Sequence, residues 1–514
     1  PVRRLVIIAA TMAPVKAALA LLASHSAAAA GAYDLLVIGG GSAGLTAAKF
    51  ATTFGKSVAI IEKAKLGGDC TWTGCVPSKT LISAANAAHM ARSLAKYGVS
   101  SGEVEVDFTK VMERVKATID KIYAEDDSPE ALAKQGIDTI VGQARFVDRK
   151  TLSIEKSDGT THTLTAKEGV VIATGALPVV PTIEGLSLTG KEDGVPFITY
   201  EEVFSLSELP RSLTVVGGGP IGCELGQAFS RLGSSVTIVA PRLLPTLDPE
   251  AGEAIRATLQ SEGVVVETGK AVSVTKSASG RGHVLKLSSG KTVEGETLLV
   301  AVGRKPVTHG MDLDKIGVEL SANGGIQVDA QLRTTVKGVC AAGDCTGDQQ
   351  FTHYAGFQGS IAARNLLLPL TSVGTSMRVP ACTFTSPEVA HIGMTRAAAV
   401  KTLGEDKVRV VTKQLKEVDR AICAGEDGPG FIQIVTKAAN GEILGATIMA
   451  PPAGEMISEI AVAMHTKLKL PDLALVMHGY PTYSLPLQVM AAGVYYDKLK
   501  KSAPLYGFLK KLGL

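Results

Sequence analysis

Cys70 and Cys75 stand five residues apart in Gly67-Gly68-Asp69-Cys70-Thr71-Trp72-Thr73-Gly74-Cys75-Val76-Pro77-Ser78-Lys79. Only the thiolate form of a cysteine attacks disulfides, binds soft metals or donates charge to a cofactor ring. Pro77 suits a first helical turn, and the run from Ser78 to about Ala95 is compatible with a helix. Cys75 is therefore expected at the positive end of that helix, where a thiolate is stabilised. Residues five apart on a regular helix do not face each other, so a Cys70–Cys75 bridge needs a loop or a distorted first turn, which Gly74 permits. Lys79 follows one turn beyond Cys75, within reach of a cofactor ring. Free cysteines are commonly inert core residues, but the glycine setting and the adjacent helix start argue for a reactive pair. The second pair of the same spacing, Cys340 and Cys345, reads differently: Val339 to Ala342 is a buried strand, and Asp344 at its end is the residue of interest.

The elements that must position these groups are legible upstream and downstream. Tyr33 to Ile38 is a short apolar strand, Gly39-Gly40-Gly41-Ser42-Ala43-Gly44 follows, a helix runs to about Phe54, and Ser57 to Glu62 is the next strand. This is a βαβ unit with G-x-G-x-x-G at its first turn and an acid closing its second strand. The glycines permit a tight turn and close backbone approach, the helix N-terminus faces a pyrophosphate, and Glu62 accepts hydrogen bonds from ribose hydroxyls. The pattern recurs about 178 residues later, with Ser212 to Val216, then Gly217-Gly218-Gly219-Pro220-Ile221-Gly222, a helix to about Leu232 and the strand Ser235 to Val239. Two such units imply two nucleotide sites, one for FAD and one for NAD(P). Val170 to Gly175 and Leu298 to Arg304 are apolar strands ending at glycine, placed where the chain would cross between domains. The candidate cofactor contacts are Gly39, Gly41, Ser42, Ala43, Gly44, Glu62, Lys63, Gly68, Thr174, Gly175, Gly217, Gly219, Gly222, Arg242, Gly303, Arg304 and Asp344. From about Met377 the character changes to alternating strands and helices without a phosphate loop; Phe431 to Val435 and Ile443 to Ile448 read as antiparallel strands, followed by a helix near Glu455 to Leu468.

The expected fold class is α/β, with two Rossmann-like FAD and NAD(P) domains and a C-terminal α+β dimerisation domain. The expected divisions are an FAD domain over 31–180 that returns over 308–376, an NAD(P) domain over 181–307, and a third domain over 377–514. A chain of 514 residues is too long for one ordinary core. With 52 basic and 49 acidic side chains, its net charge of +3 gives no electrostatic case for nucleic acid. Seven cysteines are too few, and odd in number, for a secreted disulfide framework. Residues 1–30 stand apart: Arg3-Arg4 precede an alanine-rich apolar run and then small residues, with no acid before Asp34. That layout resembles an export or thylakoid-transfer signal, with an organellar transit peptide, a disordered extension or an anchor as rival readings. Pro14 and Lys16 interrupt the apolar run, so no stable membrane insertion is expected. The compartment expected from the segment is an organelle (chloroplast or mitochondrion) or an exported one.

Together the first glycine turn, the Cys70/Cys75 pair ending in Val-Pro-Ser-Lys79, the second glycine turn and Ala342-Gly343-Asp344 make the chain resemble the pyridine nucleotide-disulfide oxidoreductases, over about residues 33–500. The family includes glutathione reductase, dihydrolipoamide dehydrogenase and mercuric reductase. The resemblance implies that Cys70 is the thiol that exchanges with substrate and Cys75 the thiol that contacts the flavin. It implies that Lys79 sits near the flavin N5 and pairs with Glu224, that Asp344 holds the ribitol chain, and that a homodimer builds each active site from both subunits.

The chain departs from the disulfide reductases where they carry His-Pro-Thr-x-x-Glu. Here the stretch is His478-Gly479-Tyr480-Pro481-Thr482-Tyr483-Ser484-Leu485, so Tyr480 takes the histidine position and Leu485 the glutamate position. The histidine of the family motif shuttles protons to substrate thiols. His478, two residues early, reads as structural, although with Tyr480 it remains a candidate to line the acceptor pocket from the partner subunit. Mercuric reductases have a tyrosine at the same place, and a metal ion held by two thiolates needs no such acid. Against that likeness, neither their C-terminal cysteine pair nor their N-terminal heavy-metal domain is expected here, the last residues read being Lys510-Lys511-Leu512-Gly513-Leu514. The broad group of mercuric-reductase-like proteins is the nearest likeness. The strand ending at Val239 is followed by Ala240-Pro241-Arg242 rather than an acid, which favours NADPH over NADH, Arg242 receiving the 2′-phosphate.

The expected activity is therefore electron transfer from NADPH through FAD and Cys70/Cys75 to a thiol-bound metal ion such as Hg(II), held transiently by the two cysteines, or to another small acceptor. A disulfide reductase or dihydrolipoamide dehydrogenase, and a flavoprotein kept as a non-catalytic subunit of a larger assembly, are the alternatives.

Overall fold

The structure is a computed structural model describing residues 31–100, 102–187, 194–278 and 280–511. The segment 1–30, read above as targeting, lies outside the described residues.

The first sheet has seven strands. Four run parallel in the order Ile137–Val141, Val58–Glu62, Ala32–Ile38 and Thr161–Ile172, with Val339–Ala341 added in parallel beyond Val170–Ile172. Leu35, Leu36, Val37, Ile60, Val171 and Ile172 are fully buried, as expected for parallel strands covered on both faces. Thr161–Ile172 serves two neighbourhoods. Its last four residues, 169–172, are continuously buried in the parallel sheet, whereas its first five, 161–165, join an antiparallel meander with Thr151–Glu155 and Gln143–Phe146. Because Val339–Ala341 belongs to this sheet, the chain leaves it after Ile172 and returns more than 160 residues later.

The intervening chain builds a second parallel sheet, Val265–Thr268, Ser235–Ala240, Ser212–Val216 and Thr297–Val300, with a three-stranded antiparallel sheet beside it. A two-stranded ribbon, Ala176–Pro178 against Arg304–Pro306, pairs the outgoing and returning crossings. The third unit is a five-stranded antiparallel sheet ordered Ala381–Thr383, Glu388–Gly393, Ile443–Ala450, Phe431–Lys437 and Val408–Gln414. It is covered by the helices Ala453–His465 and Leu485–Lys511, the latter contributing Leu487, Met490, Ala491 and Val494 to a buried cluster. Helix boundaries differ from the sequence expectation by a few residues: the dithiol helix is Cys75–Arg92, and the C-terminal helix placed near Glu455 to Leu468 is Ala453–His465.

Two close approaches set the architecture around the first glycine turn. Gly39 has φ +104°, and a Cβ there would lie 2.3 Å from the Ala173 carbonyl oxygen, so strand and crossing touch backbone to backbone. Gly359, inside the helix Thr352–Leu367, lies so close to the helix Ser42–Thr53 that a Cβ would lie 2.0 Å from the Ala43 oxygen.

Candidate active site

The dithiol sits where two short helical segments meet. Gly68–Trp72 forms one, Thr73 and Gly74 break it, and Cys75–Arg92 begins the next. Gly74 is required by crowding, since a Cβ would lie 2.8 Å from the Asp69 carbonyl oxygen. The break brings two cysteines five residues apart into mutual contact, and both are free thiols. Their proton affinities diverge. The hydrogen bond from Cys70 holds the Cys75 thiol down, and against the cost of burial it reaches about 6 with help from the Thr352 hydroxyl and the Lys79 ammonium. The same bond, with burial, pushes the Cys70 thiol up. The pair thus holds one proton and one negative charge at neutral pH, with the charge on Cys75. Cys75 Sγ lies 3.2 Å from Thr352 Oγ1 at the start of the helix Thr352–Leu367, a residue with no signal in the local sequence around the cysteines.

Lys79 donates to Glu224 Oε2 at 2.8 Å, across 145 residues of sequence. Glu224 is 6 % exposed and its other oxygen accepts the Phe384 backbone N–H at 2.8 Å. The Phe384 ring lies 4.4 Å from the ammonium. Three separate stretches of chain therefore fix one lysine below the cysteines. The helix Cys75–Arg92 is further anchored through Asn86, which accepts from Arg231, itself paired with Glu262 at 2.6 Å in a buried site.

One continuous cavity of about 1340 Å³ joins both glycine turns to the dithiol. All the sequence-assigned residues line it except Gly44, Gly222, Tyr480 and His478. Gly44 and Gly222 lie in the first turns of their helices and pack back against the turn before them, where a Cβ would lie 1.9 Å from the Gly39 oxygen and 2.1 Å from the Gly217 oxygen, respectively. Helices Ser42–Thr53 and Pro220–Leu232 both begin after a glycine that offers no side-chain cap, and their first turns line the cavity, the second starting at Pro220, which has no N–H to satisfy. Glu62 accepts the Gly40 N–H at 2.7 Å and the Ala64 N–H at 2.8 Å. Lys63, Thr174, Gly175 and Gly303 line the same cavity, and Thr174 Oγ1 donates to the Val307 oxygen at 2.6 Å.

Two assigned cations are held in ways the sequence did not indicate. Arg304 bridges Asp69, at 2.5 Å, and Asp344, at 2.8 Å, with Tyr200 hydroxyl 3.3 Å from its Nε. It therefore ties the residue preceding Cys70 to the acid following the strand Val339–Ala341. Arg242 turns back on its own loop, donating to the Pro245 oxygen and, at 2.7 Å, to the Leu247 oxygen.

The C-terminal residues lie outside the cavity of their own chain. Both ring nitrogens of His478 are engaged, Nδ1 at 2.9 Å from the Val476 oxygen and Nε2 at 2.8 Å from Glu459 Oε1. Tyr480 is 71 % exposed, and the nearby Asp419 carboxylate pushes its hydroxyl up. Among the described residues, no group of three or more His, Cys, Asp or Glu side chains is placed to hold a metal ion, and no helix is long and apolar enough to cross a membrane.

Comparison with known proteins agrees with this geometry. The family described as pyridine nucleotide-disulphide oxidoreductase matches residues 33–359, and its dimerisation domain matches residues 379–490. The chain is 33 % identical over 475 residues to a mercuric reductase of Streptomyces lividans, covering 91 % of this chain and 98 % of that one. It is 32 % identical over 458 residues to a dihydrolipoyl dehydrogenase of Chlorobaculum tepidum, covering 88 % and 95 %. Among solved structures it resembles LpdA of Mycobacterium tuberculosis, with a TM-score of 0.80, 29 % identity and coverage of 90 % and 99 %. It also resembles the HOCl-induced flavoprotein disulfide reductase RclA of Escherichia coli in its Cu(II) complex, with a TM-score of 0.78, 27 % identity and coverage of 90 % and 99 %. Proteins of this family bind FAD and NAD(P)H, and the two uncapped helix starts, behind turns whose first glycines Gly39 and Gly217 leave no room for a Cβ while Gly41 and Gly219 stand open, fit the two diphosphates.

Proposed function

The chain belongs to the pyridine nucleotide-disulphide oxidoreductases, and within that family we propose that it is an NADPH-dependent reductase of a thiol-bound soft metal ion, Hg(II) first among them. The carrying observation is the proton-sharing pair Cys70/Cys75 lining the cavity, combined with a C-terminal stretch whose only histidine has both ring nitrogens engaged. A bound flavin supplies the two-electron relay between nicotinamide and sulfur.

The residues of this chain then have separable tasks. Cys75 holds the negative charge, and the Thr352 hydroxyl and Lys79 ammonium keep it there. Cys70 keeps the proton until an incoming ligand displaces it, and is the thiol offered to the acceptor. Glu224 holds Lys79 in place, so the ammonium stays against the ring site rather than in solvent. The uncapped starts of the two helices bind the diphosphates, Glu62 and Asp344 take ribose and ribitol hydroxyls, and Arg242 swings from its own loop carbonyls to a 2′-phosphate. Disulfide reduction needs a proton delivered to each departing thiolate. Two cysteines closing on a soft cation bind it as thiolates, Cys70 giving up the one proton the pair holds, so the tyrosine at position 480 is compatible with the metal reaction. The overall balance is NADPH plus Hg(II) giving NADP⁺, a proton and Hg(0). Mercuric reductases among the relatives support this choice, and the Cu(II) complex of RclA makes Cu(II) the second ion to try.

The test is NADPH oxidation by purified protein with excess small thiol, on adding Hg(II) or Cu(II), beside a Cys70→Ala variant. Metal-dependent turnover that the variant loses is the expected result. A flavin that NADPH reduces, with no stimulation by either ion but turnover with a disulfide or lipoamide, would overturn the metal reading and leave the disulfide reductase. A flavin that NADPH does not reduce would point to the non-catalytic subunit.

A further inference from the structure

The helix Pro220–Leu232, which opens at the second glycine turn, carries a buried polar face. Glu224, Gln227 and Arg231 follow at i, i+3 and i+7, one stripe of a helix, and all three are buried. Long polar side chains are rarely buried unless paired, and each of these is paired outside its own helix. Arg231 places Nε and Nη2 on the two carboxylate oxygens of Glu262, at 2.7 and 2.6 Å. Glu224 takes Lys79 on one oxygen and the Phe384 N–H on the other. Gln227 uses both ends of its amide. Its oxygen accepts the Ser386 N–H at 2.7 Å, and its nitrogen donates to the Ser386 oxygen at 2.8 Å and to Glu262 at 3.1 Å. Arg231 adds a longer contact to the same Ser386 oxygen, at 3.3 Å.

Ser386 lies two residues beyond Phe384, in the turn between the strands Ala381–Thr383 and Glu388–Gly393. That turn therefore meets the helix at two points, Phe384 at Glu224 and Ser386 at Gln227. A turn pinned at one point can pivot, whereas two pins give the Phe384 ring one position, 4.4 Å from the Lys79 ammonium. The Lys79 side chain is 35 % exposed, so an ammonium released from the ring has solvent to move into. The titratable and charged groups that face Cys75 are Cys70, Lys79 and Glu224, with the Thr352 hydroxyl beside it. Cys382 and Glu388, on the strands flanking the turn, and Glu455 lie near Lys79 and Glu224.

We propose that Gln227 is a positioning residue for the dithiol: by holding both backbone groups of Ser386 it fixes the Phe384 ring against Lys79, and so keeps the ammonium beside Cys75. Gln227 does not line the cavity and acts through the turn. The turn belongs to the dimerisation domain, residues 379–490, so that domain reaches the reactive pair of its own chain by this route. The inference rests on the site assignment above, with Cys75 as the thiolate and Lys79 beside it, and not on the identity of the acceptor.

The experiment uses the full FAD-loaded protein, reduced anaerobically by two electrons, and follows the long-wavelength thiolate-to-flavin absorbance against pH. Gln227→Met keeps the length and loses the amide, and its midpoint is expected to rise by roughly half a pH unit or more. Gln227→Asn, a methylene too short to span both Ser386 groups, is expected to move it the same way and supplies the reading if the methionine variant does not fold. In a Lys79→Met background the ammonium is already gone, so Gln227→Met is expected to add no shift. The proposal is overturned by a midpoint unmoved in the folded Gln227 variants, whatever their Tm, or by a shift that persists undiminished in the Lys79→Met background. A wild-type band that titrates and moves in Lys79→Met but not in the Gln227 variants removes this inference alone. Wild-type protein with no titrating band overturns the site assignment and the inference with it.

Discussion

At the scale of single residues, the site works by unequal division of one proton. Cys70 and Cys75 share it, and the environment rather than the residue type decides that Cys75 is the thiolate. The thiolate signature of the two-electron-reduced enzyme, its long-wavelength absorbance, is therefore expected to be present above about pH 6 and to disappear as the pH falls through that value. Replacing Thr352 by Val or Lys79 by Met removes a group that holds the thiol down, so the midpoint is expected to move to higher pH in each. A midpoint unmoved in both variants would refute the assigned causes. Arg242 supports a second residue-level prediction. If its guanidinium leaves the Pro245 and Leu247 carbonyls for a 2′-phosphate, Arg242→Ala loses a charge-assisted contact of roughly 1.5–3 kcal/mol. The kcat/KM for NADPH is then expected to fall by about tenfold or more, with NADH nearly unaffected. Equal losses for the two nucleotides would remove Arg242 from the selection of NADPH.

At the scale of elements, backbone approaches place the reactive atoms. Thr352 reaches Cys75 because the helix it begins lies against the helix Ser42–Thr53, and Ser42 Oγ donates to the Thr352 oxygen at 2.9 Å. Gly359 is what permits that approach, since a Cβ would lie 2.0 Å from the Ala43 oxygen. Gly356, on the same helix, is more forgiving, its nearest neighbours being the Ser42 and Thr46 hydroxyls at 3.3 Å. Gly359→Ala is accordingly expected to separate the two helices, destabilise by about 1–3 kcal/mol and reduce the flavin retained on purification. Gly356→Ala should retain nearly all of it. Thermal melts and the flavin-to-protein ratio distinguish the two, and equal behaviour would show that this contact does not set the site.

At the scale of the whole molecule, the dimerisation domain supports a homodimer, and Tyr480 lies on the exposed surface of its own chain rather than in its own cavity. If each active site takes Tyr480 from the partner, a mixed dimer of one Cys70→Ala subunit and one Tyr480→Phe subunit contains one intact site. Co-expressed variants are then expected to regain activity that neither homodimer has. No recovery in isolated mixed dimers would refute the contribution of Tyr480 across the subunits. His478 belongs to the same stretch, and its two ring nitrogens are engaged by Val476 and Glu459.

The sequence by itself determined the parts whose chemistry is local. Glycines at a strand-to-helix turn, an acid closing the next strand and a cysteine before a helix-starting Pro77 each act within a few residues, so spacing alone exposes them. The pairing of Lys79 with Glu224 was legible only through a family resemblance, because 145 residues separate them. The helix start at Pro77 already pointed to Cys75 as the thiolate, but only tertiary structure added the Thr352 hydroxyl, 277 residues away, to the groups that hold it down. Tertiary structure alone showed Arg304 bridging Asp69 and Asp344, the first being 235 residues away. Local pattern reports what a segment prefers, whereas proton affinity and ion pairing depend on distance through space, which is set only when remote elements close around a common cavity.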